Sequence, residues 1–302
     1  MTTGAVTAAA SRHGVLGVVA DYVRLTKPRI ISLLLLTTLL AMIVADRGWP
    51  DGWLVLWTMV GGAMAAGGAN AINQVVDRDI DARMARTAAR PVVAGRISAP
   101  HALGFGLLLG AASVLVLGLG ADWLAAGLAL LGFALYVLLY TLWLKRSTTQ
   151  NIVIGGAAGA VPPLVGWAAV TGDLQLGAIL MFAVIFYWTP PHFWALSLLL
   201  RRDYAQAGVP MLPVVRGTDA TARQVLLWTV VLVGVSLLPS AAGVVGAFYL
   251  VAALVLGAVF VALAVRLARR PDEHRARAVF SWSMLYLALL FVAMAVDAAI
   301  IR

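Results

Sequence analysis

The chain has 302 residues, 62% of them hydrophobic and only 12% charged, with a mean hydropathy of +0.95. Soluble domains carry about 25% charged residues, so too little polar surface remains to coat a globule, and the same numbers exclude disorder. Cysteine is absent, which rules out disulfides, thiolate metal sites and cysteine nucleophiles. The net charge of +9 would point to nucleic acid in a soluble chain. In a membrane protein it asks instead which side holds the positive residues, and no nucleic-acid partner follows.

Residues 1–20 lack the long apolar run of a secretory signal and read as a mobile cytoplasmic tail. Residues 21–302 then form a single transmembrane domain. Apolar stretches follow at 30–45, 53–76, 102–119, 123–144, 151–170, 176–200, 222–239, 244–265 and 279–301. Spans of about 17–25 apolar residues cross a hydrocarbon core, so the expectation is an all-α bundle of nine transmembrane helices. Pro162, Pro163, Pro190 and Pro191 are expected to kink or end their helices.

Twenty of the 22 basic residues fall in the tail and in alternate loops, leaving only Arg47 and Arg302 for the other side. Positive residues collect in the cytoplasm, which places the N-terminus inside and the C-terminus outside a cell membrane. The inner loops, above all 77–100 and 201–221, are also the longer ones and hold nearly all the ionisable groups. Polar groups kept near a membrane mark function, so the working face is expected at the cytoplasmic ends of the helices.

Asn73, Asp77 and Asp81 are spaced i, i+4, i+8 and lie along one helical face. A file of hard oxygen donors at the mouth of a bundle suits Mg²⁺, which takes one or two carboxylates and keeps places for water and substrate phosphate. Asp79 points to the other side, toward a neighbouring arginine. Arg83, Arg86 and Arg90 follow and can fork onto phosphate oxygens; a solvated, self-paired helix end is the competing reading. In a second cluster Asp203 can hold a further metal ion, with Arg201 or Arg202 on phosphate. Two arginines at an inner helix end are also what topology alone demands, and Lys145 and Arg146 share that ambiguity. His192 stands among aromatics in Tyr187-Trp-Thr-Pro-Pro-His-Phe-Trp194, where a packed, hydrogen-bonded ring is the ordinary role.

The file continues into Arg86-Thr-x-x-Arg-Pro91. Later come Tyr140-Thr-x-x-Leu-Lys-Arg146, Asn151-Ile-Val-Ile-Gly-Gly156, Pro162-Pro-Leu-x-Gly-Trp167, Trp188-Thr-Pro-Pro-His-Phe-Trp-Ala-Leu196 and Asp203-Tyr-x-x-Ala-Gly-Val-Pro-Met-Leu-Pro213. Together these resemble the haem-modifying branch of the UbiA-type intramembrane prenyltransferases, from about Tyr22 to the last span. Many members of the wider superfamily carry a second Asp four residues after the first in the last motif; here that position is Ala207, as in the haem branch.

The resemblance implies Mg²⁺-dependent transfer of a farnesyl group from farnesyl diphosphate to a vinyl group of haem b, with addition of water. The products are haem O and diphosphate, on the route to haem–copper oxidases. It implies metal ligation by Asn73, Asp77, Asp81 and Asp203, and diphosphate binding by Arg86, Arg90, Lys145, Arg146, Arg201 and Arg202. A haem and prenyl cavity is implied around Tyr140, Trp167, Trp188, His192 and Tyr204, with Tyr187 and Phe193 nearby and His192 as an iron ligand. A hand-off to haem A synthase is carried by no residue. The rival readings are a prenyltransferase of quinone precursors or chlorins, an ion-coupled transporter and a non-catalytic haem-binding scaffold.

Overall fold

The computed structural model describes residues 14–301. The elements are α1 (Val15–Thr26), α2 (Pro28–Asp46), α3 (Gly52–Val76), α4 (Arg78–Ala82), α5 (Ala99–Gly120) and α6 (Trp123–Ala134). A π-helical segment, Leu135–Leu144, then leads into α7 (Lys145–Ser147). The chain continues through α8 (Asn151–Ala160), α9 (Pro162–Thr171), α10 (Leu176–Leu199), α11 (Arg201–Ala207) and α12 (Leu212–Val215). It closes with α13 (Gly217–Ala241), α14 (Ala247–Arg269), α15 (Glu273–Val296) and a terminal π turn, Asp297–Ile301. Among the described residues nine helical spans are long and apolar enough to cross a membrane, and they coincide with the nine apolar stretches.

Local chemistry sets many of the boundaries. Asp51 accepts from the backbone N–H groups of Trp53 and Leu54 at 2.9 and 3.0 Å, and Asp122 from those of Leu124 and Ala125 at 2.7 and 3.1 Å. These carboxylates satisfy the orphan donors that open α3 and α6. Val161 separates α8 from α9, and Pro162 restarts the helix in its first turn, where proline costs no hydrogen bond. Across Pro190 and Pro191, by contrast, α10 stays a single helix.

Composition points to a tail over residues 1–20, but residues 15–20 open α1, while residues 1–13 lie outside the described residues. Helix α1 is held by α3. Asn70 Nδ2 donates to the Thr26 carbonyl at 3.0 Å, and Gln74 Nε2 to those of Arg24 and Leu25 at 3.2 and 3.0 Å. Leu25 is buried with Ala71, Ile97 and Ala102, whereas Val15, Leu16, Val18, Val19 and Val23 are exposed. An apolar face of that kind on a short helix beside a bundle fits the plane of a membrane interface.

Helix α3 packs on α5, α2 on α9, and α10 on α13 and α15. Lipid gives no hydrophobic drive for such pairs, so close backbone approach decides them. A Cβ on Gly68 would sit 2.6 Å from the Gly106 carbonyl of α5, and one on Gly166 would sit 2.3 Å from the Thr38 carbonyl of α2. The connections alternate in length. Short turns join α2 to α3, α5 to α6, α9 to α10 and α13 to α14, while the other end of the bundle carries α1, α4, α11, α12 and the long loop between α4 and α5. That second, polar end holds the candidate site.

Candidate active site

The donor file is built where α3 gives way to α4. Asp77 is the last residue of the α3 ladder, its N–H donating to Asn73 O at 2.9 Å, and the Asp81 N–H donates to Asp77 O at 2.8 Å. The helical path therefore continues and stacks the three side chains. Asn73 is 3% exposed, Asp77 0% and Asp81 1%. Removing carboxylates from water is costly unless cations meet them, and cations from α7 and from the loop after α4 do so.

Lys145 reaches Asp77 Oδ2 and Arg90 reaches Asp81 Oδ2, each in an ion pair. Asn73 Nδ2 donates to Asp77 Oδ2 at 2.7 Å and to Thr141 Oγ1 at 3.2 Å. Asn73 Oδ1 accepts from Lys27 Nζ at 2.7 Å. Two rungs thus join the end of α3 to the π-helical segment and to α7 after it, Asn73 to Thr141 and Asp77 to Lys145. The wider π turn sets the register: Thr141 Oγ1 donates to the Tyr136 carbonyl, five residues back, at 2.8 Å, and π-helical insertions recur at functional sites.

The other carboxylate oxygens remain open. Asp77 Oδ1 and Asp81 Oδ1 are buried and accept no hydrogen bond among the described residues, with Arg146 Nη2 3.9 Å from the former. Two unpaired carboxylate oxygens one helical turn apart suit a hard cation that fills its remaining positions with water and phosphate. No group of three His, Cys, Asp or Glu side chains forms a fuller cage among the described residues, so any ion here stays open to ligands from substrate.

Lys27 is the site residue that the motifs do not reveal. It joins α1 to α2 with φ of 57°, a left-handed conformation that costs a non-glycine residue on the order of 1–3 kcal/mol. Asn70 and Gln74 hold the joint in that shape. Burial, then the nearby charges of Arg90 and Lys145, push the Lys27 ammonium down to about 7. The readable signal is that amide N–H groups within a lipid-spanning helix must find acceptors or neighbours, and Asn70 Nδ2, Asn73 Oδ1 and Gln74 Nε2 all bond to residues of this joint or the end of α1.

The remaining candidates divide. Arg146 forks onto Asp79 at 2.6 and 2.8 Å and donates to Val76 O at 2.8 Å, holding the Asp79 carboxyl down to about 2. It secures the outward side of the α3–α4 corner, so its guanidinium is committed to Asp79 rather than free for phosphate. Tyr204 is buried, which pushes its phenol up, and it lies within electrostatic reach of Arg86, Asp203 and Arg90. The loop after α4 and the start of α11 therefore share one neighbourhood. Arg201 and Arg202 are exposed on α11, and Asp203 is half-buried. Tyr140 stacks on Tyr136 at 5.6 Å.

Trp167 stands apart. Its ring covers Gly177 beside the α9–α10 turn, sixteen residues and about 24 Å of helical rise from Asn151, at the short-turn end. It is not part of this site. Trp188 and His192 lie between α10 and α15, against Phe280 and Ser283, and Phe193 packs edge-on against His192. Tyr187 faces Trp228 of α13.

Known proteins share this architecture. A protoheme IX farnesyltransferase from Chloroflexus aurantiacus is 55% identical over 284 residues, covering 94% of this chain and 48% of that protein. The chain spans about half the length of the first curated relatives it matches. A protein of the same name from Gloeobacter violaceus is 54% identical over 278 residues, covering 92% of this chain and 91% of that one. The solved structure of a UbiA homologue from Archaeoglobus fulgidus bound to DMAPP and Mg²⁺ has a TM-score of 0.65 at 14% identity, covering 91% of this chain and 99% of that one. The model of the UbiA prenyltransferase family matches residues 34–293, and the chain belongs to that family.

Proposed function

We propose that this protein transfers a farnesyl group from farnesyl diphosphate to a vinyl group of haem b, with water, giving haem O and diphosphate. The observation that carries the reading is the pair of open, buried oxygens on Asp77 and Asp81 within a ring of cations. The acceptor follows from the relatives named protoheme IX farnesyltransferase, and the cation from the Mg²⁺ held by the Archaeoglobus homologue. The working face is the polar end, on the cytoplasmic side, with haem b and the prenyl chain entering from the bilayer.

Asp77 and Asp81 would hold Mg²⁺, which when bound neutralises diphosphate charge. Asn73 keeps Asp77 turned toward Lys145, and Asp203 and Tyr204 close the site from α11. Lys145, Lys27 and Arg90, with Arg86 at the loop, meet the negative charge that grows on the leaving group as the allylic C1–O bond breaks. That bond's electron pair leaves with diphosphate. The vinyl group then attacks C1 of the allylic cation, water adds to the resulting carbocation, and one proton is lost. The tyrosines Tyr136, Tyr140 and Tyr204 line the approach and limit stray water. No side-chain nucleophile is needed.

The test is conversion of haem b by the purified protein in lipid, read by mass spectrometry of extracted haem. Wild type with farnesyl diphosphate and Mg²⁺ yields the hydroxyethylfarnesyl product, and Asp77→Asn and Asp81→Asn each lower the rate on the order of 100- to 1,000-fold. Full activity in the double variant, or preference for a quinone precursor over haem b in competition, contradicts the reading.

A further inference from the structure

Away from the carboxylates, one titratable side chain is held on several sides where α10 meets α15. His192 sits on α10 seven residues before its final Leu199, and Phe280 sits seven residues into α15. Both therefore lie about 10 Å inside the polar end. Trp188 stacks on one face of the imidazole at a centroid distance of 4.2 Å and 18°, and Phe280 stacks on it at 4.9 Å and 29°. Phe193 meets it edge-on at 5.1 Å. The ring cannot turn without displacing three aromatic neighbours.

Its hydrogen bonding selects one nitrogen. Ser283 Oγ lies 2.7 Å from His192 Nδ1, and the same hydroxyl donates to the Phe280 carbonyl at 2.6 Å. A hydroxyl has one proton to give, so toward His192 it accepts, and Nδ1 is the protonated nitrogen. Trp188 Nε1 donates to the Ser283 carbonyl at 2.7 Å, which fixes the acceptor in turn. Nε2 is left with its lone pair and no hydrogen-bond donor among the described residues, on a residue that is 8% exposed. An imidazole whose far nitrogen donates to a fixed acceptor is the arrangement that orients and strengthens a metal-binding histidine.

We propose that His192 binds the iron of the substrate haem through Nε2, with Ser283 as its positioning residue. This rests on the haem reading of the acceptor. The iron is a handle and not a reactant: no electron moves, and ligation holds the porphyrin against the aromatic wall of α10 and α15. The ring is thereby placed deeper than the diphosphate, so that a vinyl group faces the carbon that loses its leaving group near Asp77 and Asp81.

Ferric protohaem IX titrated into the detergent-purified full chain tests this, with Soret absorption and electron paramagnetic resonance as readouts. Wild type shows imidazole ligation. His192→Ala abolishes that signature and weakens haem binding on the order of 100-fold, and added imidazole restores the ligated spectrum. Ser283→Ala keeps ligation but weakens it about tenfold. Calorimetric binding of Mg²⁺ with inorganic pyrophosphate stays unchanged in both variants, showing that they are folded. An identical spectrum in wild type and His192→Ala overturns the proposal. Should His192→Ala not fold, metal-free protoporphyrin IX decides: it binds wild type on the order of 100-fold more weakly than haem under the proposal, and equal affinity overturns it. Wild type that makes farnesylated haem without imidazole ligation sinks the iron contact alone. Wild type that shows the ligation but never farnesylates haem sinks the transfer reading alone.

Discussion

A buried carboxylate oxygen with no hydrogen bond costs about 1–3 kcal/mol, and here two of them lie one turn apart, on Asp77 and Asp81. A cation bound between them would remove that cost. The Asn73, Asp77 and Asp81 file was legible because an i, i+4 pattern is local and needs nothing but helical periodicity. Lys27 was not, since its reach to Asn73 depends on a left-handed joint that α3 imposes from 46 residues away. Thr141 stood in a quoted motif without a role, as only the π register turns it toward Asn73. Arg146 looked like a phosphate ligand from its position, but Asp79 takes both arms of its guanidinium. If Lys27 meets the leaving group, Lys27→Ala loses on the order of 100-fold in kcat/KM for farnesyl diphosphate, while Lys27→Arg keeps most of it. Steady-state kinetics at saturating haem b measure both, and an unchanged Lys27→Ala restricts this residue to the fold.

Elements are held by two devices that act at different distances. Helix α1 is tied by Asp21, which accepts from Arg96 at 2.8 Å and from Arg24 at 3.1 Å. Burial works to raise the Asp21 carboxyl, yet the two guanidinium partners hold it below its ordinary 3.8. A depressed carboxylate stabilises fully above its unfolded value and loses that contribution as pH falls through the folded one. Asp21→Asn therefore lowers the local stability of α1 by about 1–3 kcal/mol, read as faster amide hydrogen exchange over residues 15–26. Unchanged exchange contradicts the tie, and in wild type the same loosening appears only below about pH 4. The α3–α5 pair is held by backbone approach instead. Gly68→Ala forces a methyl against Gly106 O and destabilises by about 1–3 kcal/mol, measured as a lower Tm in detergent. The apolar stretches announced these spans, but α1 escaped composition because its apolar face is short and one-sided.

For the whole molecule, alternation of charged and uncharged connections predicts both the nine spans and their direction. Since no cysteine is native, single substitutions report topology cleanly. Ala205→Cys is labelled only from the cytoplasm and Trp49→Cys only from outside, and the reverse pattern inverts the proposed orientation. Depth within the bundle was harder to read than direction: Trp167 has the chemistry of a chamber wall, but its place late in the α8–α9 span carries it to the short-turn end. The buried Asp297 at that end accepts from the backbone N–H groups of Gly246 and of Tyr249, the latter at 2.7 Å. It caps α14 and is not a coupling acid of the kind an ion-driven transporter requires. The central claim, that Asp77 and Asp81 grip a divalent ion carrying the diphosphate, is tested most directly by Mn²⁺ in place of Mg²⁺. In crystals grown with farnesyl thiodiphosphate, the anomalous signal is expected against Asp77 Oδ1 and Asp81 Oδ1, with the headgroup between Lys145 and Arg90. A manganese peak on Asp203 alone, or a headgroup bound away from these carboxylates, contradicts the account.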